Sequence, residues 1–282
     1  MLYKLRKTVE KFAKFFGYKY IRYAIPYRIK CIKHKKDIDY LKSILSDDLS
    51  IKILDAAIKC RKRRNNKALL PFYDNQFEKD LSLISGDTVR IDTTQYFPQG
   101  IVNITAEEIF VDGGGFIGDT VLSLDENTQG AFKKVYVFEP MLKFFNKIVE
   151  NTAPLKDKIS LHNAGLASKN AEIFFKDEGA ASRAAKEGKE LVKLVKFDDY
   201  ISEEDRRQVT YIKLDIEGAE MEALIGMKET IAKYKPKLAV CLYHKPADLW
   251  ELPLFIDQLN PDYKLYIRQH YPVNEIVLYA VM

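Results

Sequence analysis

The chain has 282 residues, 47% of them apolar, and a formal net charge of +5, which suits one catalytic domain with an appendage and is ample for a packed core. No run of eighteen uncharged apolar residues occurs, so no membrane span is expected. Three scattered cysteines, Cys31, Cys60 and Cys241, set neither a disulfide framework nor a zinc spacing.

The first residues lack an apolar h-region and a small-residue cleavage site, so no signal peptide is expected and a reducing, cytoplasmic setting is. Residues 1–36 hold twelve Lys/Arg against the single acid Glu10, a net of +11, while the remainder holds 33 basic and 39 acidic residues, a net of −6. A mildly acidic body is a poor general nucleic-acid binder, and no nucleic-acid partner is expected. The basic arm is interleaved with aromatics, among them Phe12, Phe15, Phe16 and Tyr18, and is interrupted by Gly17 and Pro26. It reads as a solvated basic helix docked by its aromatics, or as a peripheral contact to an anionic membrane surface, which would put the protein at the inner face of the membrane.

From Asp37 to about Lys62, apolar residues recur at helical spacing in one or two pieces, with Ser46-Asp47-Asp48 placed to cap the second. The charge run Arg61-Lys62-Arg63-Arg64 reads as a solvated helix end. A segment including Thr94, Gln95 and Tyr96 reads either as a lead-in strand or as a cover over a ligand; Gln95 is its candidate contact. Residues 1–90 form a basic helical N-terminal cap on this reading, and residues 91–282 the catalytic domain.

From Glu108 strands and helices alternate. Strands are expected at 108–112, 134–138, 159–163, 210–215 and 237–242, with helices at 118–125, 141–152, 218–233 and 247–259. Two closing strands, Tyr263–Arg268 and Glu275–Val281, read as an antiparallel hairpin. An extra pair, Ala171–Lys176 and Leu191–Lys196, falls between the third and fourth main strands. The alternation predicts an α/β fold with a mostly parallel seven-stranded sheet covered by helices on both faces.

Ligands of such sheets bind at the carboxyl ends of strands, so the chemistry is sought there. The first strand runs into Asp112-Gly113-Gly114-Gly115-Phe116-Ile117-Gly118-Asp119-Thr120. Gly113, Gly115 and Gly118 satisfy G-x-G-x-x-G, a turn that lets backbone N–H groups approach a ligand. The second strand ends in Glu139-Pro140, where a nucleotide ribose is held in doubly wound folds. Those features suit NAD and S-adenosylmethionine (SAM) alike. Asp112 favours SAM: it would repel a pyrophosphate and attract an ammonium, by about 4 kcal/mol at 4 Å and an effective dielectric near 20. Asn163 and Ala164 end the third strand and are candidates for an adenine edge, or simply a tight turn.

Lys213, Asp215 and Glu217 alternate onto one side of the fourth strand's end. They read as structural salt bridges, or as groups facing a reacting methyl group or a metal. Without a nearby His the pair of acids is weak for zinc; a hard divalent ion such as magnesium is admitted but not indicated. His244 and Lys245 end the fifth strand, and Arg268 and His270 the sixth. An imidazole with pKa near 6.5 suits removal of an acceptor proton, which makes His244 the candidate base and Asp215 the alternative.

Taken together, Val111-Asp112-Gly113-Gly114, Phe138-Glu139-Pro140, Leu194–Tyr200, Tyr211–Glu220 and the stretch from Pro236 through His244 to Trp250 resemble the FkbM-type methyltransferases. The resemblance spans about residues 90–282, and more loosely the helix at 38–64. It implies the class I, Rossmann-like methyltransferase fold, SAM as cofactor and O-methylation of a hydroxyl on a sugar, glycolipid or surface-polysaccharide precursor. It draws Trp250 into the candidate acceptor contacts with Gln95, Lys213, Lys245, Arg268 and His270. Gly115 stands where many relatives carry Ala. A nicotinamide oxidoreductase, or a non-catalytic membrane-surface protein, would share the loop or the arm and remains an alternative.

Overall fold

A computed structural model describes residues 27–63, 66–72, 94–176, 183–185, 190–270 and 275–282. The basic arm up to residue 26, Arg64, the small-residue loop at 179–182 and the turn at 272–274 lie outside those residues, as does the expected division at residue 90.

Seven strands build the main sheet in the order β10-β11-β9-β8-β1-β2-β3. They are β1 Ile109–Gly113, β2 Lys134–Phe138, β3 Ile159–His162, β8 Tyr211–Leu214, β9 Lys237–Cys241, β10 Lys264–Gln269 and β11 Ile276–Val281. β1 pairs in parallel with β2 and with β8, while β11 lies antiparallel between β9 and β10. The sequence therefore places the strands well and the closing hairpin correctly. The extra pair turns out to be part of a second sheet of β4 Gly165–Leu166, β5 Ala171–Lys176, β6 Arg183–Ala185 and β7 Glu190–Val195, in the order β4-β7-β5-β6.

Both faces of the main sheet are buried, as a parallel sheet requires. Val111, Ile212, Leu214 and Val240 face one core, and Phe110, Val135, Val137 and Tyr211 the other. Helices α1 Lys35–Ile44 and α2 Asp48–Arg63 cover the first face with Leu41, Ile53 and Leu54, so the cap residues described share one core with the sheet. Asp47 caps α2, its Oδ1 accepting the Ser50 N–H at 2.7 Å. Helices α3 Asp119–Thr128 and α4 Leu142–Asn151 follow β1 and β2. The long helix expected at 218–233 is two, α5 Glu220–Gly226 and α6 Lys228–Tyr234, because Met227 between them leaves helical geometry at φ −120°. Helix α7, Asp248–Leu259, follows β9.

Candidate functional site

The strand order reverses between β1 and β8, and two lobes of one cleft open there at the carboxyl edge. An apolar lobe of about 180 Å³ is walled by Phe116, Phe138, Glu139, Pro140, Phe144, Gly165, Leu166 and Leu194. A polar lobe of similar volume is walled by Gln95, Tyr96, Asp119, Thr120, Lys213, Tyr243 and Glu275. Gly114, Phe116 and Asp215 line both.

The glycine loop does not turn its N–H groups toward a ligand as the spacing suggested. The N–H groups of Gly114 and Gly115 both donate to the Phe138 carbonyl, at 3.0 and 3.2 Å, and that of Gly118 donates to Gly115. They tie β1 to β2 instead of pointing into the cleft. Gly114 has φ +82° and passes so close to Asp215 that a Cβ would lie 2.0 Å from its carbonyl oxygen. A Cβ on Gly115 would meet Val137 Cγ1 at 2.3 Å, so the methyl group that Ala would bring does not fit this packing without a shift.

Glu139 leaves β2 buried, with Oε2 accepting the Phe116 N–H at 3.0 Å and Oε1 the Met141 N–H at 2.9 Å. Burial pushes its pKa up to about 7 against those two hydrogen bonds. Each oxygen keeps a second lone pair. Asn163 supports this turn: its amide donates to the carbonyls of Glu139 and Pro140, both at 3.0 Å. Asn163 and Ala164, taken from the sequence for an adenine edge, are absent from the cleft wall, where Gly165 and Leu166 stand.

Asp112 is fully buried and Lys213 Nζ lies 2.9 Å from its Oδ1. Lys213 also donates to the Gly114 carbonyl at 2.8 Å, so it is the partner of the loop and not an open acceptor contact. Asp112 Oδ2 is buried without a hydrogen-bond partner. Burial raises the Asp112 pKa, with Lys213 opposing, and pushes Asp119 up to about 6. Burial works against the charge of Lys213, but Asp112, Asp215 and Asp119 outweigh it and hold its pKa up.

Asp215 is where the sequence reasoning was incomplete. Tyr96 donates to its Oδ2 at 2.8 Å and Tyr243 to its Oδ1 at 2.9 Å. Burial alone would raise its pKa; Lys213, His244 and the two phenols bring it below the usual carboxylate range. The segment around Gln95 thus does fold over the cleft, anchored by Tyr96. Tyr96 and Tyr243 were legible only as aromatics beside candidate residues.

Beyond Asp215, Glu217 takes φ +55° and Gly218 φ +94°, a strained turn for a glutamate. It brings Glu217 Oε2 3.6 Å from His244 Nε2, with Asp215 Oδ1 at 3.4 Å from the same nitrogen. His244 Nδ1 lies 2.8 Å from Glu220 Oε1, a carboxylate that the sequence reasoning passed over. Burial would lower the His244 pKa, but Glu220, Asp215 and Glu217 together raise it. The loop carrying His244 is held by Arg61 of α2, which donates to the carbonyls of Leu242, Lys245 and Pro246 at 2.8–3.0 Å. Lys245 is exposed beside this cluster.

The remaining candidates serve the framework. Trp250 is buried against Tyr27 and His34, with ring centroids 6.0 and 5.8 Å away. Arg268 pairs with Asp47 and donates to Ser50 Oγ, joining β10 to α2. His270 Nε2 lies 2.6 Å from the Tyr279 hydroxyl, which also donates to the Gln95 carbonyl. None of the three lines either lobe of the cleft.

This sheet order, with a two-lobed cleft at its reversal and an acid ending β2, defines a Rossmann-like, class I methyltransferase domain. Residues 112–266 match the Methyltransferase FkbM domain, more than half of the chain, and the chain belongs to that family of methyltransferases. The fold is similar to the crystal structure of methyltransferase FkbM from Methylobacillus flagellatus KT, with TM-score 0.73 and 25% identity over 90% of this chain and 60% of that one. A hexuronic acid methyltransferase, AglP of Haloferax volcanii, is 26% identical over 101 residues, 34% of this chain and 42% of its own length. The chain therefore spans less than two thirds of either relative. Among the described residues no helix is long and apolar enough to cross a membrane.

Proposed function

We propose that this methyltransferase uses SAM to methylate a hydroxyl of a sugar or surface-glycan precursor, within residues 91–282 and under a helical cap. The observation that carries the cofactor reading is Glu139, buried at the end of β2 with one lone pair left on each oxygen beside an apolar lobe. A ribose diol suits those lone pairs, and an adenine suits the apolar walls. The orphan Oδ2 of Asp112 and the acid Asp119 suit the ammonium of the methionine moiety. A dinucleotide fits less well. Its pyrophosphate would meet three carboxylates sharing one lysine, with the Gly114 and Gly115 N–H groups already spent on Phe138.

SAM supplies an electrophilic methyl group on a sulfonium. The chain's own work is to hold an acceptor hydroxyl in line, worth about 7–11 kcal/mol of barrier, and to take its proton. His244, Asp215 and Glu217 converge at the edge of the cleft for that step. Because three carboxylates favour the charged imidazole, His244 is already protonated over a wider pH range than an isolated histidine, which keeps Asp215 as the alternative base. The position of Gln95 in the wall of the polar lobe supports it as an acceptor contact; Lys245 lines neither lobe and stays a candidate from the sequence. The hexuronic acid in the name of the Haloferax volcanii relative supports a sugar acceptor.

Calorimetry with SAM and with NAD separately tests the cofactor. SAM binding alone is expected, and binding of NAD alone would replace the reading with an oxidoreductase. Methyl transfer from labelled SAM to glycan fractions tests the reaction. His244→Ala is expected to lower turnover about 10²–10⁴-fold with little change in SAM affinity; retained turnover at saturating acceptor moves the proton transfer to Asp215.

A further inference from the structure

Four ligand-type side chains converge beyond the carboxyl end of β8. Asp215, Glu220 and His244 bring donor atoms within 4.8 Å of one another, and Glu217 Oε2 approaches His244 Nε2 to 3.6 Å from its strained turn. His244 is the centre of the group. Its side chain is 8% exposed; Nδ1 has Glu220 Oε1 2.8 Å away, while Nε2 has no hydrogen-bond partner. A buried imidazole left in that state is costly unless something else takes its lone pair.

The two ring nitrogens face different surroundings. Nε2 looks toward Asp215 Oδ1 at 3.4 Å and Glu217 Oε2 at 3.6 Å. An ion about 2.1 Å from each of two donor atoms holds them about 3.0–3.4 Å apart, close to those separations. Nδ1 looks toward Glu220 Oε1 at 2.8 Å, and Glu220 is itself fixed by the N–H groups of Ile216 and Gly218 at 3.0 and 3.2 Å. A histidine that gives one nitrogen to a metal and the other N–H to an oriented carboxylate is the usual outer-shell arrangement of metal sites. Asp215 is oriented in the same way by the hydroxyls of Tyr96 and Tyr243.

We propose that His244 Nε2, Asp215 and Glu217 bind a divalent cation beside the cleft, with Glu220 orienting the imidazole. Two carboxylate oxygens, one imidazole nitrogen and an open side toward the cleft suit Mn²⁺. The position deepens the methyltransferase reading and rests on it for its purpose: an ion there polarises an acceptor hydroxyl bound to it. With Nε2 on the ion, the loss in His244→Ala reports a lost ligand, and the proton of the bound hydroxyl passes to another base.

Titration of the full chain with Mn²⁺, read by the loss of the free-ion electron paramagnetic resonance signal, tests the site without turnover. One equivalent is expected to bind. Glu217→Gln and His244→Gln should each weaken binding at least tenfold, and Glu220→Gln about 10–100-fold, the range for an outer-shell partner. Glu217 is half-exposed, so its variant remains decisive where a His244 variant fails to fold. Absence of binding at millimolar Mn²⁺, or binding unchanged by Glu217→Gln, overturns the site. SAM binding measured on the same samples separates the two readings: a chain that binds SAM but no Mn²⁺ loses only the metal, and one that binds Mn²⁺ but not SAM loses only the cofactor.

Discussion

Two of the buried or half-buried ion pairs are built from similar parts, Lys213 with Asp112 and Arg268 with Asp47. At Arg268 the bonds close on themselves: the guanidinium reaches Asp47, Ser50 Oγ and the Ile267 carbonyl, and Asp47 also accepts from Ser50. Burial opposes this, yet Arg268 and Ser50 still hold the Asp47 carboxyl down to about 2. At Lys213 the bonds do not close. Three carboxylates share one ammonium, and Asp112 Oδ2 has no partner. A self-satisfied pair joins two elements; an under-satisfied one, set in a cleft, is arranged for something that arrives later.

The largest expected effect breaks the open pair. Lys213→Met leaves Asp112 buried and uncompensated, which should cost about 3–5 kcal/mol of stability in chemical denaturation. The double variant with Asp112→Leu should recover part of that stability while SAM binding stays lost. Full recovery of SAM affinity would mean that the pair is as structural as the one at Arg268.

Next comes Glu139. Glu139→Ala should lose about 1.5–3 kcal/mol of SAM binding, the range for hydrogen bonds to a charged group, or about ten- to a hundredfold in Kd by calorimetry. An unchanged Kd would remove Glu139 from the site. The pH dependence sharpens the point. Folding raises the Glu139 pKa from 4.5 to about 7, so its contribution to stability is present below 4.5 and is lost as pH rises through 7. Glu139→Gln should therefore stabilise the SAM-free protein above pH 7, seen as a higher Tm, although it weakens SAM binding. The SAM affinity of the unsubstituted chain should itself fall as pH drops below 7.

The smallest effect belongs to the closed pair. The depressed pKa of Asp47 contributes stability above about pH 4, lost as pH falls through 2. Since Asp47 is partly exposed, Asp47→Asn should cost only about 1 kcal/mol at neutral pH, with SAM binding intact.

Periodicity and the acids at strand ends made the sheet, the cap helices and the positions of Asp112, Glu139, Asp215 and His244 legible before any coordinates. What stayed hidden depends on partners far away in sequence. Lys213 belongs to Asp112, 101 residues earlier, so the face it shares with Asp215 along the strand says little about its job. Trp250 and Arg268 sat in suggestive stretches but were claimed by the cap, whose contacts with the sheet leave no local pattern. Glu220 looked like the start of a helix because its role is set by the left-handed turn before it, which no propensity announces. The use of the glycine N–H groups on Phe138 was equally invisible, since the spacing is the same whether a loop holds a ligand or a neighbouring strand.

Arg61 has a consequence for assembly. Its hydrogen bonds to the carbonyls of Leu242, Lys245 and Pro246 close across 181 to 185 residues, and contacts so distant in sequence form slowly. During synthesis α2 leaves the ribosome long before its partner loop exists, and it waits with an apolar face that β10 later covers. The strap that holds His244 is among the last to fasten. A chain that has failed to dock its first helices therefore also lacks the strap on the His244 loop, which ties formation of the candidate site to docking of the cap.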